Sequence, residues 1–102
     1  MGFLLRVLEG DGAVVEEVVA DLNFNPVRAG FDSADFPMMG MLDPYRDTSF
    51  DYLQCELLER EVRRAATRLG ENGVSGDFIA ELIRLCKIGR AKPQRRFVFI
   101  GD

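Results

Sequence analysis

The segment from Thr48 to Leu69 constrains the fold more than any other part of the chain. Taken at about 100° per residue, Phe50, Leu53, Leu57, Leu58, Val62, Ala65 and Leu69 line one side. Glu56, Glu59, Arg60, Arg63, Arg64 and Thr67 take the other. A long helix with one apolar stripe must lie on something, so the rest of the chain has to supply a second apolar layer. Thr48 is the expected cap, with Asp51 at the third helical position completing a capping-box-like start. Glu56 with Arg60, and Glu59 with Arg63, have the spacing of favourable helix-surface pairs. Gln54 and Glu61 interrupt the pattern by facing the apolar sector, and Cys55 lies at its far edge. Glu61 is therefore expected to be a buried carboxylate in a polar network, with Arg6, Arg96 and Tyr45 as candidate donors.

Glu71-Asn72-Gly73 breaks this helix, and Ser75 is the expected cap of a second one. Phe78, Ile79, Leu82, Ile83, Leu85 and Cys86 form its apolar face; it should end near Ile88-Gly89, and Pro93 forbids continuation. Phe3 to Glu9 and Arg96 to Ile100 are short apolar runs of the length of strands. Gly10-Asp11-Gly12 signals a turn, and the β-branched run 13–20 favours a hairpin over a short helix, although Val and Glu mix on both of its sides. Residues 21–46 show no period, and Pro26, Pro37 and Pro44 block a helix there. The apolar residues of that stretch, Phe24, Val27, Phe31, Phe36, Met38, Met39, Met41 and Leu42, are expected to pack under the sheet; a partner-facing surface is the alternative.

The expected architecture is one α+β domain over 1–102, in the order β-β-α-α-β. It has a three-stranded, mainly antiparallel sheet with two helices packed on one face. The first and last strands should pair, since both are apolar and together close the core.

The densest polar stretch is Asp43-Pro44-Tyr45-Arg46-Asp47-Thr48, followed by Phe50, Asp51, Leu53 and Gln54; the chain closes on Phe99-Ile100-Gly101-Asp102. This pattern resembles that of a family of small bacterial proteins with an Asp-Pro-Tyr-Gly-Asp-Thr segment, a later Leu-Gln and a final Phe-x-Gly-Asp. Arg46 stands where the pattern has Gly, which puts in question any positive φ at that position. The likeness covers the middle helix and the C-terminus, not the first forty residues. It implies an immunity-protein-like fold and, with it, a toxin-neutralising role.

The chemistry open to the chain is narrowed by what it lacks. There is no histidine, which removes the Ser-His-Asp triad, the Cys–His dyad and the usual zinc ligand sets. No glycine-rich phosphate loop is present. Cys55 and Cys86 fall within helical patterns and are expected to be reduced thiols in the core. With no stretch of about 18 apolar residues and no basic leader, neither a membrane span nor a secretion signal is expected. A cytoplasmic setting follows as an expectation.

Net charge is −4, but unevenly distributed. Residues 1–61 carry four Arg against thirteen Asp or Glu, net −9, whereas residues 62–102 carry nine Lys or Arg against four acids, net +5. The basic stretch Arg84, Lys87, Arg90, Lys92, Arg95 and Arg96 could hold phosphate, but the acidic whole and the lack of interleaved aromatics speak against nucleic acid. A non-catalytic binding protein that uses its acidic surface on a basic protein partner, such as a co-encoded toxin, is the leading reading. Its expected partner-binding residues are Asp32, Asp35, Asp43, Tyr45, Asp47 and Asp51, with no cofactor and no metal. One alternative is a small metal-dependent enzyme in which Asp43, Asp47 and Asp51 converge on a hard cation. The other is a homo-oligomer built on the Met-rich loop or a sheet edge.

Overall fold

A computed structural model describes residues 2–101; Met1 and Asp102, the last residue of the closing motif, lie outside the described residues. Chain order is β1 (Leu4–Leu8), β2 (Val14–Val19), β3 (Thr48–Phe50), α1 (Tyr52–Glu71), α2 (Gly76–Arg90) and β4 (Arg96–Ile100). The sheet is antiparallel throughout, with strands in the order β2-β1-β4-β3. Leu5 and Val7 on β1, Phe97 and Phe99 on β4 and Phe50 on β3 are fully buried and point toward the helices. First and last strands pair as expected, Leu4 opposite Ile100 through Leu8 opposite Arg96.

Four strands replace the expected three. The fourth is Thr48–Phe50, which the periodicity places in the first turn of the helix. Thr48 is thus a strand residue and Asp51 is the N-cap, not the third helical residue. The Asp51 carboxylate accepts the Gln54 N–H at 2.8 Å, and the Gln54 side chain accepts the Asp51 N–H at 2.9 Å. Two overlapping capping patterns are present in the sequence, Thr48 with Asp51 and Asp51 with Gln54, and tertiary packing selects the second. Only the later start leaves Thr48–Phe50 extended, so that Phe50 packs edge-on against Phe99 with ring centroids 5.7 Å apart.

The later start also redefines the faces of α1. Its core stripe is Cys55, Leu58, Val62, Ala65 and Leu69, with Cys55 fully buried in line with the others rather than at an edge. Leu53 and Leu57, read as core, are 58% and 46% exposed. Where α2 crosses α1, Gly89 faces Cys55: a Cβ at position 89 would stand 2.8 Å from the Cys55 sulfur. Burial pushes the Cys55 thiol up to about 12 and raises that of Cys86 as well, so both stay protonated. Ser75 caps α2 as expected, its hydroxyl accepting the Phe78 N–H at 3.1 Å.

Residues 14–19 form the hairpin strand. Their unclear alternation has a cause: Val7 pairs with Glu16 but Leu8 with Val14, so a bulge reverses the phase part-way along.

Candidate functional site

The stretch between β2 and β3 decides what surface this protein shows. It holds no strand and only one 3-10 turn, Met39–Met41, yet Phe24, Phe31, Phe36, Met39 and Leu42 are buried in the main core. Core packing of the loop is therefore realised for these five, while Val27 and Met41 face outward.

Without a sheet or long helix, such a loop satisfies its backbone partly by local turns, such as the Gly40 N–H to the Phe36 carbonyl at 2.7 Å, and partly by side chains. Three residues of α1 supply the bonds, at spacing i, i+3, i+7. The Glu61 carboxylate, 5% exposed, accepts the N–H groups of Met38 at 3.0 Å and Met39 at 2.9 Å. Arg64 donates to the Asp35 carbonyl at 2.7 Å and lies over the Phe36 ring, 4.4 Å from its centroid. Arg68 sits over Phe31 at 4.8 Å and reaches the Gly30 carbonyl. Glu61 is thus the expected buried carboxylate, but its donors are two main-chain amides and not Arg6, Arg96 or Tyr45. At the start of the loop, the Asp21 carboxylate accepts the Ser75 N–H at 3.0 Å and the Asn23 N–H at 2.8 Å. The bond from Ser75, then that from Asn23, holds the Asp21 carboxyl below its usual range.

Held in this way, the loop delivers the acidic turn 43–47 to the outer edge of the sheet. Asp43 accepts the Tyr45 N–H at 2.8 Å in an Asx turn shaped by Pro44. The Gly101 N–H donates to the Arg46 carbonyl at 3.1 Å, stitching the C-terminal end of the chain to the turn. A Cβ at position 101 would lie 2.6 Å from Arg46 N and 2.8 Å from the Pro44 carbonyl oxygen, so only glycine allows this approach. The Asp-Pro-Tyr and Phe-x-Gly segments, far apart in sequence, thus meet in space, and backbone packing accounts for much of their pattern. No non-glycine residue among the described residues has positive φ, so Arg46 needs none.

The six expected partner-binding residues divide into two groups. Asp32 accepts the Ala34 and Asp35 N–H groups in a turn next to Arg64 and Arg68. The Asp35 carbonyl is tied to Arg64, thirteen residues along α1 from Asp51, or about 20 Å of helix. Asp43, Tyr45, Asp47 and Asp51 flank β3 instead, at its two ends. Asp43 and Asp51 are exposed or nearly so but each holds a local amide, whereas no hydrogen bond or ion pair engages the Asp47 side chain among the described residues. Tyr45 is 71% exposed. The alternative that Asp43, Asp47 and Asp51 converge on a cation does not match the geometry: among the described residues no three potential ligand side chains stand together.

Ion pairing shrinks the charge asymmetry seen in the sequence. Arg84 pairs with Glu16 at 2.7 Å, Arg90 with Glu59 at 3.0 Å and Arg95 with Glu9 at 3.1 Å, each joining the basic third of the chain to the acidic part. Half of the basic stretch is thereby occupied. The acids of segment 32–51 pair less: among the described residues only Asp43 forms an ion pair, with Arg46 at 3.8 Å. Two residues that periodicity assigned to the core, Leu53 and Leu57, lie one helical turn apart just after Asp51 and add exposed apolar surface. At about 100° per residue both lie roughly 100° or more from the middle of the Leu58, Val62, Ala65 and Leu69 stripe, a phase masked while Phe50 is counted as helical.

No helix of the described chain is long and apolar enough to cross a membrane. No protein-family model matches the chain, and no curated protein or solved structure matches it.

Proposed function

We propose that this chain is a non-catalytic binding protein that neutralises a basic protein partner, as an immunity protein does for a co-encoded bacterial toxin in the cytoplasm. The observation that carries the reading is Tyr45. A large aromatic side chain, 71% exposed, sits at the tip of a turn whose backbone is fixed by Asp43 and Gly101. A rigid aromatic with a polar end is a low-entropy anchor for an interface, and its setting between Asp43 and Asp47 favours a cationic surface opposite. Beyond β3, Asp51, Leu53 and Leu57 add an acidic and apolar exposed surface at the start of α1. Asp32 and Asp35 belong to this surface less directly, since Arg64 and Arg68 stand beside them.

The test is co-purification of the tagged protein with the product of the adjoining gene, followed by titration. Tyr45→Ala should weaken the complex by about 2 kcal/mol or more, roughly thirtyfold. Asp43→Asn with Asp47→Asn should slow association and flatten its salt dependence. A complex indifferent to all three substitutions would remove the reading.

A further inference from the structure

A second concavity adjoins the acidic turn. It is a cleft of about 310 Å³ where β1 begins and β2 and β4 end, and Phe3, Leu4, Val19, Leu22, Ile100 and Gly101 contribute to its lining. None of its lining residues among the described ones is charged. Val19 and Leu22 at its mouth are 76% and 80% exposed, unusual for a Val on a strand and a Leu beside it. The volume lies at the low end for ligand pockets and suits one large side chain. Without a charged lining residue, the cleft offers little to orient a polar metabolite.

Gly101 links this cleft to the turn. It lines the cleft, and its N–H is bonded to the carbonyl of Arg46, which lines a groove of about 350 Å³ with Met41, Asp43, Asp47, Thr48 and Ser49. The apolar cleft and the acidic groove therefore lie on either side of one hydrogen bond. Arg46 leans on Asp43, at 3.8 Å, but Asp47 has no ion pair among the described residues. Neither does Asp21, which sits between the lining residues Ala20 and Leu22. Asp47 thus stands without a cation on the far side of that bond from a hollow with no charged lining among the described residues.

We propose that cleft and groove form one composite site for a partner peptide segment that carries a large apolar side chain next to Lys or Arg. The apolar residue fills the cleft beside Leu22, and the cation lies against Asp47. This rests on the acidic-turn reading above and adds to it the apolar half of the recognition element.

The test is an amide NMR titration of the full chain with a short peptide holding one Phe between paired lysines. Two control peptides replace the Phe by Ala or the lysines by Glu. Saturable shifts are expected at Leu4, Val19, Leu22 and Gly101 together with Asp43 to Asp47. The Ala peptide should bind about ten- to a hundredfold more weakly, and the Glu peptide should not bind. Leu22→Asp, at an exposed position, should abolish the cleft shifts while leaving the rest of the spectrum in place. Shifts confined to the acidic turn, equal for the Phe and Ala peptides, would overturn the cleft but leave the binding-protein reading standing. Concentration-dependent cleft shifts without peptide would overturn the proposal in favour of a second copy of the chain. No saturable shift in either region would overturn it too, and the co-purification experiment then judges the binding-protein reading alone.

Discussion

The covered side of the sheet and the long loop before β3 are both buried, by different means. Under the helices, Phe97 and Phe99 lie against β1, β3 and the core stripe of α1 in a setting that is apolar apart from the buried Thr48 hydroxyl. The loop also buries apolar residues and folds on its own turns, but it is tied to the helices by hydrogen bonds from single side chains: Glu61 to Met38 and Met39, Arg64 to Asp35, Asp21 to Ser75. Apolar packing is spread over many contacts and non-directional. Polar straps are few, directional and costly to lose. The difference teaches where this molecule is robust and where single substitutions can reshape its surface.

Removing Phe99 should have the largest effect. It is fully buried and contacts the rings of Phe3, Phe50 and Phe97, so Phe99→Ala should cost about 3–5 kcal/mol in urea unfolding. Against a total of about 5–15 kcal/mol, that leaves a marginal fold. Glu61→Leu comes next. Leucine conserves the packing but leaves two loop amides without an acceptor, at about 2–4 kcal/mol. The loss should appear with little change in the urea m-value, since the core stays packed. Unchanged or raised stability would show that the loop does not hang on this carboxylate, and the contrast drawn above would collapse.

Acid sharpens the contrast further, with the smallest effect. Hydrogen bonding to Ser75 and Asn23 holds the Asp21 carboxyl below its ordinary 3.8. A folded-state value below the unfolded one stabilises the fold above the unfolded value, and that contribution is lost as pH falls through the folded one. Asp21→Ala should therefore be less stable than the parent at neutral pH, and the gap should narrow below about pH 3.8. A gap independent of pH would mean that Asp21 acts by packing rather than by charge.

The same contrast marks what was readable in the sequence. Elements with a local signal were legible: both helices and the pairing of Leu4–Leu8 with Arg96–Ile100 from apolar runs, the hairpin from its Gly turn and β-branched residues, and the Ser75 cap from its residue type. The strand Thr48–Phe50 was not, because three residues carry no period and a valid capping pattern overlapped them. Counting Phe50 as helical also drew Leu53 and Leu57 into the core stripe, whereas both lie off the one that runs from Leu58 to Leu69 and are exposed. Glu61 stood out as a misfit carboxylate, yet its partners are backbone amides, which no side-chain pattern can announce. Arg64 read as solvent-facing, and Arg68 drew no reading, because their targets, the rings of Phe31 and Phe36 and two loop carbonyls, lie thirty or so residues away in sequence. Of the candidate site, the residue types of the acidic turn were evident. The division of Asp32 and Asp35 from the group around Tyr45 depended on where the loop is tied, and so was hidden.

The account turns on a loop that presents its acidic turn already shaped, before any partner arrives. Native-state amide hydrogen exchange across residues 38–47 and at Gly101 measures this directly. Slowed exchange is expected at Met38, Met39, Tyr45 and Gly101, whose N–H groups are held by Glu61, Asp43 and the Arg46 carbonyl, and Glu61→Leu should release the first two. Exchange at random-coil rates through the whole segment would contradict the account, because Tyr45 would then sit on a floating chain rather than a fixed platform.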